Sequence, residues 1–179
     1  DFQHLAFIRI HAHLYPRGDM PEGCSGGKMR NYLVVVDDSS ESRLAPRFAA
    51  RRASQTGGAV HLISIIEQQQ FVAWGGVQAT IEEEARQADE GVAQAAATAL
   101  RNDHNVEVTI TVGIGDPAAV VRSVIAENFD IAALVLGAAA NGAPGPLVSH
   151  FSGYDAGTLT VPVMIVPGSL TDDALDKLT

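Results

Sequence analysis

Apolar residues along this chain gather into short solid runs, separated by helix-length stretches in which they recur every three or four positions. Tyr32-Leu33-Val34-Val35-Val36, Ala59-Val60-His61-Leu62-Ile63-Ser64-Ile65-Ile66, Ile131-Ala132-Ala133-Leu134-Val135-Leu136 and Val161-Pro162-Val163-Met164-Ile165-Val166 have the length and solidity of parallel strands buried on both faces. Val106 to Val112 instead alternates Val and Ile with Glu and Thr, the pattern of a half-buried strand suited to a sheet edge. A helix is predicted over about Arg43 to Thr56, with Leu44, Phe48 and Ala49 inward and Ala45 and Ala53 beside them. Pro46 falls in its first turn or two, where a missing donor costs least, and Gly57-Gly58 stops it. The longest helix is predicted over about Val77 to Asn102, its packed face formed by Val77, Ile81, Ala85, Ala88, Val92, Ala95 and Ala99. Glu82, Glu83, Glu84, Asp89 and Glu90 fall mainly outside that stripe. Asp116-Pro117 is a strong start signal for a third helix, with Val120, Val121, Val124 and Ile125 as its inner face.

This βαβαβαβαβ order predicts an α/β fold: an open five-stranded parallel sheet with helices on both faces. In such sheets ligands sit where loops leave the carboxyl ends of the strands. Two loops matter on that ground, Asp37-Asp38-Ser39-Ser40 after the first strand and Gly137 to His150 after the fourth. Asp37 and Asp38 could hold a ribose hydroxyl or a metal, or could cap the helix that follows.

Composition narrows the function. The 179 residues, 46% hydrophobic, suffice for one domain with a single core. A net charge of -9, from 12 basic and 21 acidic residues, repels phosphates and argues against nucleic-acid and anionic-membrane partners. No apolar run approaches the ~20 residues of a membrane span, and no secretory signal opens the chain, so a cytoplasmic protein is expected. Cys24 is the only cysteine, which rules out an internal disulfide and a thiolate metal cluster. Residues 1–28 show no sustained period and are expected to be poorly ordered, outside a compact domain at 29–168. Met29 stands where a start codon for that domain would lie, and 169–179 reads as a C-terminal tail. His4, His11 and His13 fall in the irregular first segment, where a metal site has no fold to build on. His61 reads as a satisfied strand histidine and His104 as an exposed one. Arg43, Arg47 and Arg51 recur every four residues, as either a solvated helix face or a docking surface for an acidic partner.

Several stretches resemble a universal stress protein domain. Leu33-Val34-Val35-Val36-Asp37-Asp38-Ser39 is similar to the family's first strand and turn, and Leu62-Ile63-Ser64-Ile65-Ile66-Glu67 to its second strand. Gly115-Asp116-Pro117 resembles the start of its third helix. Asp130 to Gly137 and Val161 to Pro167 resemble its last two strands. The resemblance implies a strand order of 3-2-1-4-5, a ligand crevice between the ends of strands one and four, and a homodimer through the fifth strand. The candidate ligand-binding residues are Asp37, Ile65, Gly137, Gly142, Gly145, Ser149 and His150, of which Asp37 and Gly137 match positions of the family's pattern.

The family's nucleotide-binding branch carries Gly-x-x-Gly, nine residues, then Gly-Ser or Gly-Thr after its fourth strand. Here Gly137 matches, Ala140 holds the second glycine position, and the closing pair falls on His150-Phe151 counting onward or on Ser149-His150 counting back from Pro162. A second Gly-x-x-Gly, Gly142 to Gly145, closes on Gly157-Thr158 only after eleven residues. Pro144 and Pro146 each delete a backbone donor, and no Lys or Arg lies between Asp130 and Thr171 to balance a triphosphate. Ser149, Ser152 and His150 could hold a single anionic or polar group. Ser149 and His150 are adjacent and diverge on a helix, so no nucleophile-base pair is formed. The expected function is a non-enzymatic stress-response or regulatory module with a small-ligand crevice and no firmly implied cofactor. ATP and AMP remain candidate ligands, with an ATP-binding switch of slow hydrolysis as the alternative, and a protein partner remains open.

Overall fold

The computed structural model describes residues 7–10, 30–37, 43–66 and 78–178, with 7–10 and 78–90 known as backbone only. The chain runs β1 (Phe7–Ile10), β2 (Asn31–Val36), α1 (Leu44–Thr56), β3 (Ala59–Ile66), α2 (Gln78–His104), β4 (Glu107–Ile114), α3 (Pro117–Glu127), β5 (Ile131–Ala138), α4 (Pro146–Ser152), β6 (Val163–Pro167) and α5 (Asp172–Leu178). The five strands read from the sequence are β2 to β6. All four pairings among them are parallel, in the spatial order β4-β3-β2-β5-β6, which is 3-2-1-4-5 in their own numbering. Between β2 and β3 the pairing is in step from Asn31↔Ala59 to Val36↔Ser64.

Side chains alternate across the sheet and feed two cores. Tyr32, Val34 and Val36 meet Ala45, Ala49, Ala53, Ala93, Ala97 and Leu100 on the face covered by α1 and α2. Leu33, Leu134 and Leu136 meet Val120, Val121, Val124, Val148 and Phe151 on the face covered by α3 and α4. The predicted inner face of α3 is buried as expected, and Asp116 caps that helix by accepting from the Ala119 N–H at 2.9 Å. Gly57 ends α1 at φ 64°, a left-handed conformation that a glycine adopts without strain.

Four readings are corrected. Part of the segment expected to stand outside the fold joins the sheet: β1 lies antiparallel to β4, from Phe7↔Gly113 to Ile10↔Ile110. Antiparallel pairing at an edge uses backbone groups and needs no long apolar run to announce it. It also removes β4 from the edge position its alternation suggested. Among the described side chains of α2, Ala93, Ala97 and Leu100 are buried, whereas Ala95 and Ala99 are exposed. The helix end is so rich in alanine that several stripes fit, and the one large side chain, Leu100, decides which turns inward. The side chains of Val77, Ile81, Ala85 and Ala88 lie outside the described residues.

Residues 169–179 are no loose tail. They contain α5, whose Leu175 is fully buried in the α1 core. Asp172 and Asp176 of α5 pair with Arg47 and Arg51 of α1. Two of the three arginines of the row, Arg47 and Arg51, therefore find acidic partners within the same chain. His61 is buried and lies 2.8 Å from Thr111 Oγ1 on the neighbouring strand. His104 is half-buried at the end of α2, and desolvation with the nearby Arg51 charge holds its imidazole below the usual value. Asp38 to Ser40, residues 67–77, Cys24, His4, His11 and His13 lie outside the described residues. Among the described residues no helix is long and apolar enough to cross a membrane.

Candidate functional site

The carboxyl ends of β2 and β5 lie side by side in the middle of the sheet, where the chain order reverses, and a crevice opens there. Val35 and Asp37 come from the end of β2, Leu136 and Gly137 from β5, and Gly145, Pro146, Leu147 and Val148 from the start of α4. Its volume is about 110 Å³, below the roughly 300–1,000 Å³ of pockets that enclose a drug-sized ligand. A second, more open cleft of about 530 Å³ adjoins it, sharing Pro146 and Leu147 and adding Gly115, Asp116, Pro117, Ala118 and His150.

The loop that shapes both is short and internally tied. The Ala139 N–H donates to the Pro144 carbonyl at 3.4 Å, and the chain then turns into α4 at Gly145, whose φ of 102° favours glycine. Pro146 occupies the first position of α4 and brings no N–H to the crevice. Val148 and Phe151 pin α4 to the sheet, which fixes where its other side chains point.

Asp37, Gly137 and Gly145, among the residues expected at the site, come together around the crevice. Asp37 does not cap α1, which opens at Leu44 behind Arg43 without a side-chain cap. Gly142 sits on the exposed turn of the loop, away from both cavities. Ile65 packs half-buried against the α3 and α4 core and lines neither. The Ser149 hydroxyl is turned back along α4, donating to the Gly145 carbonyl at 2.8 Å. His150 faces the second cleft, and its Nε2 lies 2.9 Å from Asp155 Oδ2. Arg122 of α3 donates to the same oxygen at 2.5 Å.

That Asp155 is 3% exposed and was missed by sequence reasoning. A carboxylate five residues beyond a histidine has no recognisable helical spacing, and only the turn after α4 brings the two together. Val35, Leu136, Leu147 and Val148 were also missed as lining, because strand and helix apolar residues read as core. Among the described residues no group of three or more His, Cys, Asp or Glu side chains is placed to hold a metal ion.

The family model of the universal stress proteins matches residues 28–167. The chain belongs to the universal stress protein family. Solved universal stress proteins share its fold. One from Burkholderia pseudomallei is 16% identical, with a TM-score of 0.62 over 80% of this chain and 99% of that one. One from Archaeoglobus fulgidus, solved in complex with dAMP, is 17% identical, with a TM-score of 0.54 over 78% of this chain and 98% of that one. One from Arabidopsis thaliana with AMP bound is 14% identical, with a TM-score of 0.51 over 80% of this chain and 94% of that one. No curated protein sequence matches the chain. Within the universal stress protein fold, the crevice lies at the ends of the central strands β2 and β5, and the second cleft between the starts of α3 and α4.

Proposed function

We propose that this universal stress protein is a non-catalytic, cytoplasmic regulatory module whose crevice between β2 and β5 takes one small adenine-type ligand with few phosphates. The observation that carries the reading is the crevice itself, which joins Asp37 to Gly137 and Gly145 at the central strand ends. Relatives of the same fold solved with dAMP and AMP support an adenylate as the ligand class. Asp116 puts negative charge on the rim of the second cleft, and among the described residues no lysine or arginine lines either cavity. Each added phosphate therefore meets no basic side chain among the described lining residues to offset its desolvation. Titration calorimetry with adenosine, AMP and ATP is expected to show affinity falling as phosphates are added. ATP is expected to bind more weakly than ~0.1 mM, or about 5 kcal/mol. Micromolar ATP binding would overturn this reading in favour of an ATP switch.

A homodimer through β6 belongs to the same proposal. Among the described residues this strand is the edge of the sheet and pairs only with β5, and Ile165 is 43% exposed on it. An apolar edge with open backbone groups is a template for a second copy. Burial along β6 selects the probe, since Val166 is buried in the α1 core while Ile165 is not. Ile165→Lys is expected to convert dimer to monomer in sedimentation velocity with little change in melting temperature. A monomeric unmodified protein at micromolar concentration would rule the dimer out.

A further inference from the structure

Helix α5 lies beyond residues 28–167, the stretch that matches the family, and its own contacts show what the surface beneath it recognises. Leu175 is fully buried in the layer formed by Val166 of β6 and the alanines of α1. Asp172 pairs with Arg47 and Asp176 with Arg51. The two acids and the two arginines are each four residues apart, about one helical turn, and their numbers rise together. So α5 runs in the same direction as α1, its carboxylates in step with the arginines. The surface selects a pattern: two carboxylates a turn apart, with a leucine between them.

The helix that fills this surface is small. Its seven residues are too few to hold a helix alone in water. Leu175 is its buried anchor, whereas Leu178, the next residue on that side, is 59% exposed. The arginine row is also longer than the helix that covers it. Arg43 stands one turn before Arg47 and has no ion pair among the described residues. The position four before Asp172 is Gly168, which brings no carboxylate to meet it.

We propose that this side of α1 is a docking site for an acidic amphipathic helix of another protein, and that α5 closes it in the free chain. The partner's carboxylates run along Arg43, Arg47 and Arg51, and one leucine takes the place of Leu175. A third carboxylate at Arg43 is a contact that α5 does not make, and it favours the exchange. The partner must displace α5, so its apparent affinity is lowered by the fraction of chains in which α5 is released. The site uses the α1 face of the sheet and is independent of what the crevice binds.

Titration of the full chain with two synthetic peptides, followed by the backbone amide signals of α1, tests the proposal. One peptide has the sequence of residues 168–178, and the other is the same with Gly168→Asp. In a chain carrying Leu175→Asp, whose α5 no longer fits the apolar layer, both peptides are expected to bind saturably and at least about 10-fold more tightly than to the unmodified chain. Asp172→Lys with Asp176→Lys repels α5 from the arginines and provides a second open chain. The Gly168→Asp peptide is expected to bind about 2- to 5-fold more tightly than the other, the effect of one exposed ion pair, and Arg43→Ala is expected to erase that difference. Arg47→Glu with Arg51→Glu is expected to abolish binding of both. Absence of saturable binding to a folded open chain, equal affinity for open and unmodified chains, or indifference to the arginine substitutions would each overturn the proposal. So would a dimer of the Ile165→Lys chain that disappears with Leu175→Asp, since α5 would then serve a second copy of this chain.

Discussion

Phe151→Ala is expected to destabilise the protein by about 3–5 kcal/mol, the range for truncating a fully buried aromatic side chain. Phe151 is 1% exposed and packs in the layer formed with Val121, Val124, Leu134, Leu136 and Val148. The consequence reaches beyond stability, because α4 is only seven residues long. A helix of that length does not hold itself together in water and keeps its shape through the side chains it buries. Losing Phe151 leaves Val148 as its only buried residue. Pro146 and Leu147, shared by the crevice and the cleft, are then expected to lose their fixed positions, and ligand affinity should drop with stability. Urea unfolding should show a lower midpoint with the slope unchanged. A loss below about 1 kcal/mol would mean that the surrounding side chains collapse into the gap and that α4 is anchored elsewhere.

Leu175→Ala is expected to cost about 2–5 kcal/mol, and this residue distinguishes two accounts of how α5 is held. Leu175 is fully buried against the α1 face, whereas Asp172 and Asp176 are well exposed where they meet Arg47 and Arg51. Exposed ion pairs contribute about 0–1 kcal/mol each, since water screens them and two long side chains must be ordered. Burial of one leucine therefore outweighs either pair. In thermal unfolding, Leu175→Ala should lower the melting temperature clearly, and Asp172→Ala with Asp176→Ala should lower it far less. Equal effects would show that α5 is clasped by charge and that the leucine merely fills space.

Local signals carried much of this molecule. Solid apolar runs marked β2, β3 and β5, because a strand buried on both faces must be apolar at every position, whereas the equally apolar β6 is a half-buried edge strand with Ile165 exposed, not the doubly buried one its run predicts. Asp116-Pro117 marked the start of α3, because a helix's open N–H groups and proline's missing donor are satisfied within three residues of chain. Three of the site residues, Asp37, Gly137 and Gly145, were legible for a related reason: strand ends and glycines betray where the backbone turns and leaves room. The family resemblance rests on the same stretches and supplied the strand order.

What the sequence left open depends on partners far away along the chain. The alanines at the end of α2 fit several faces, and contact with the sheet chose the one carrying Leu100. The segment 172–178 is too short to declare itself a helix, and only the α1 surface, with its cavity for Leu175, makes it one. The segment at Phe7–Ile10 became a strand because β4 offered it an open edge. His150 was visible as a candidate from the start, but the residue type does not say whether a ring nitrogen donates or accepts. Asp155, buried beside Arg122 after a turn with no sequence periodicity, supplies the partner of that ring, lying 2.9 Å from Nε2. Local propensity and hydrophobic pattern act within a few residues and are written in the sequence, whereas charge balance and burial are sums over neighbours that only the folded chain brings together.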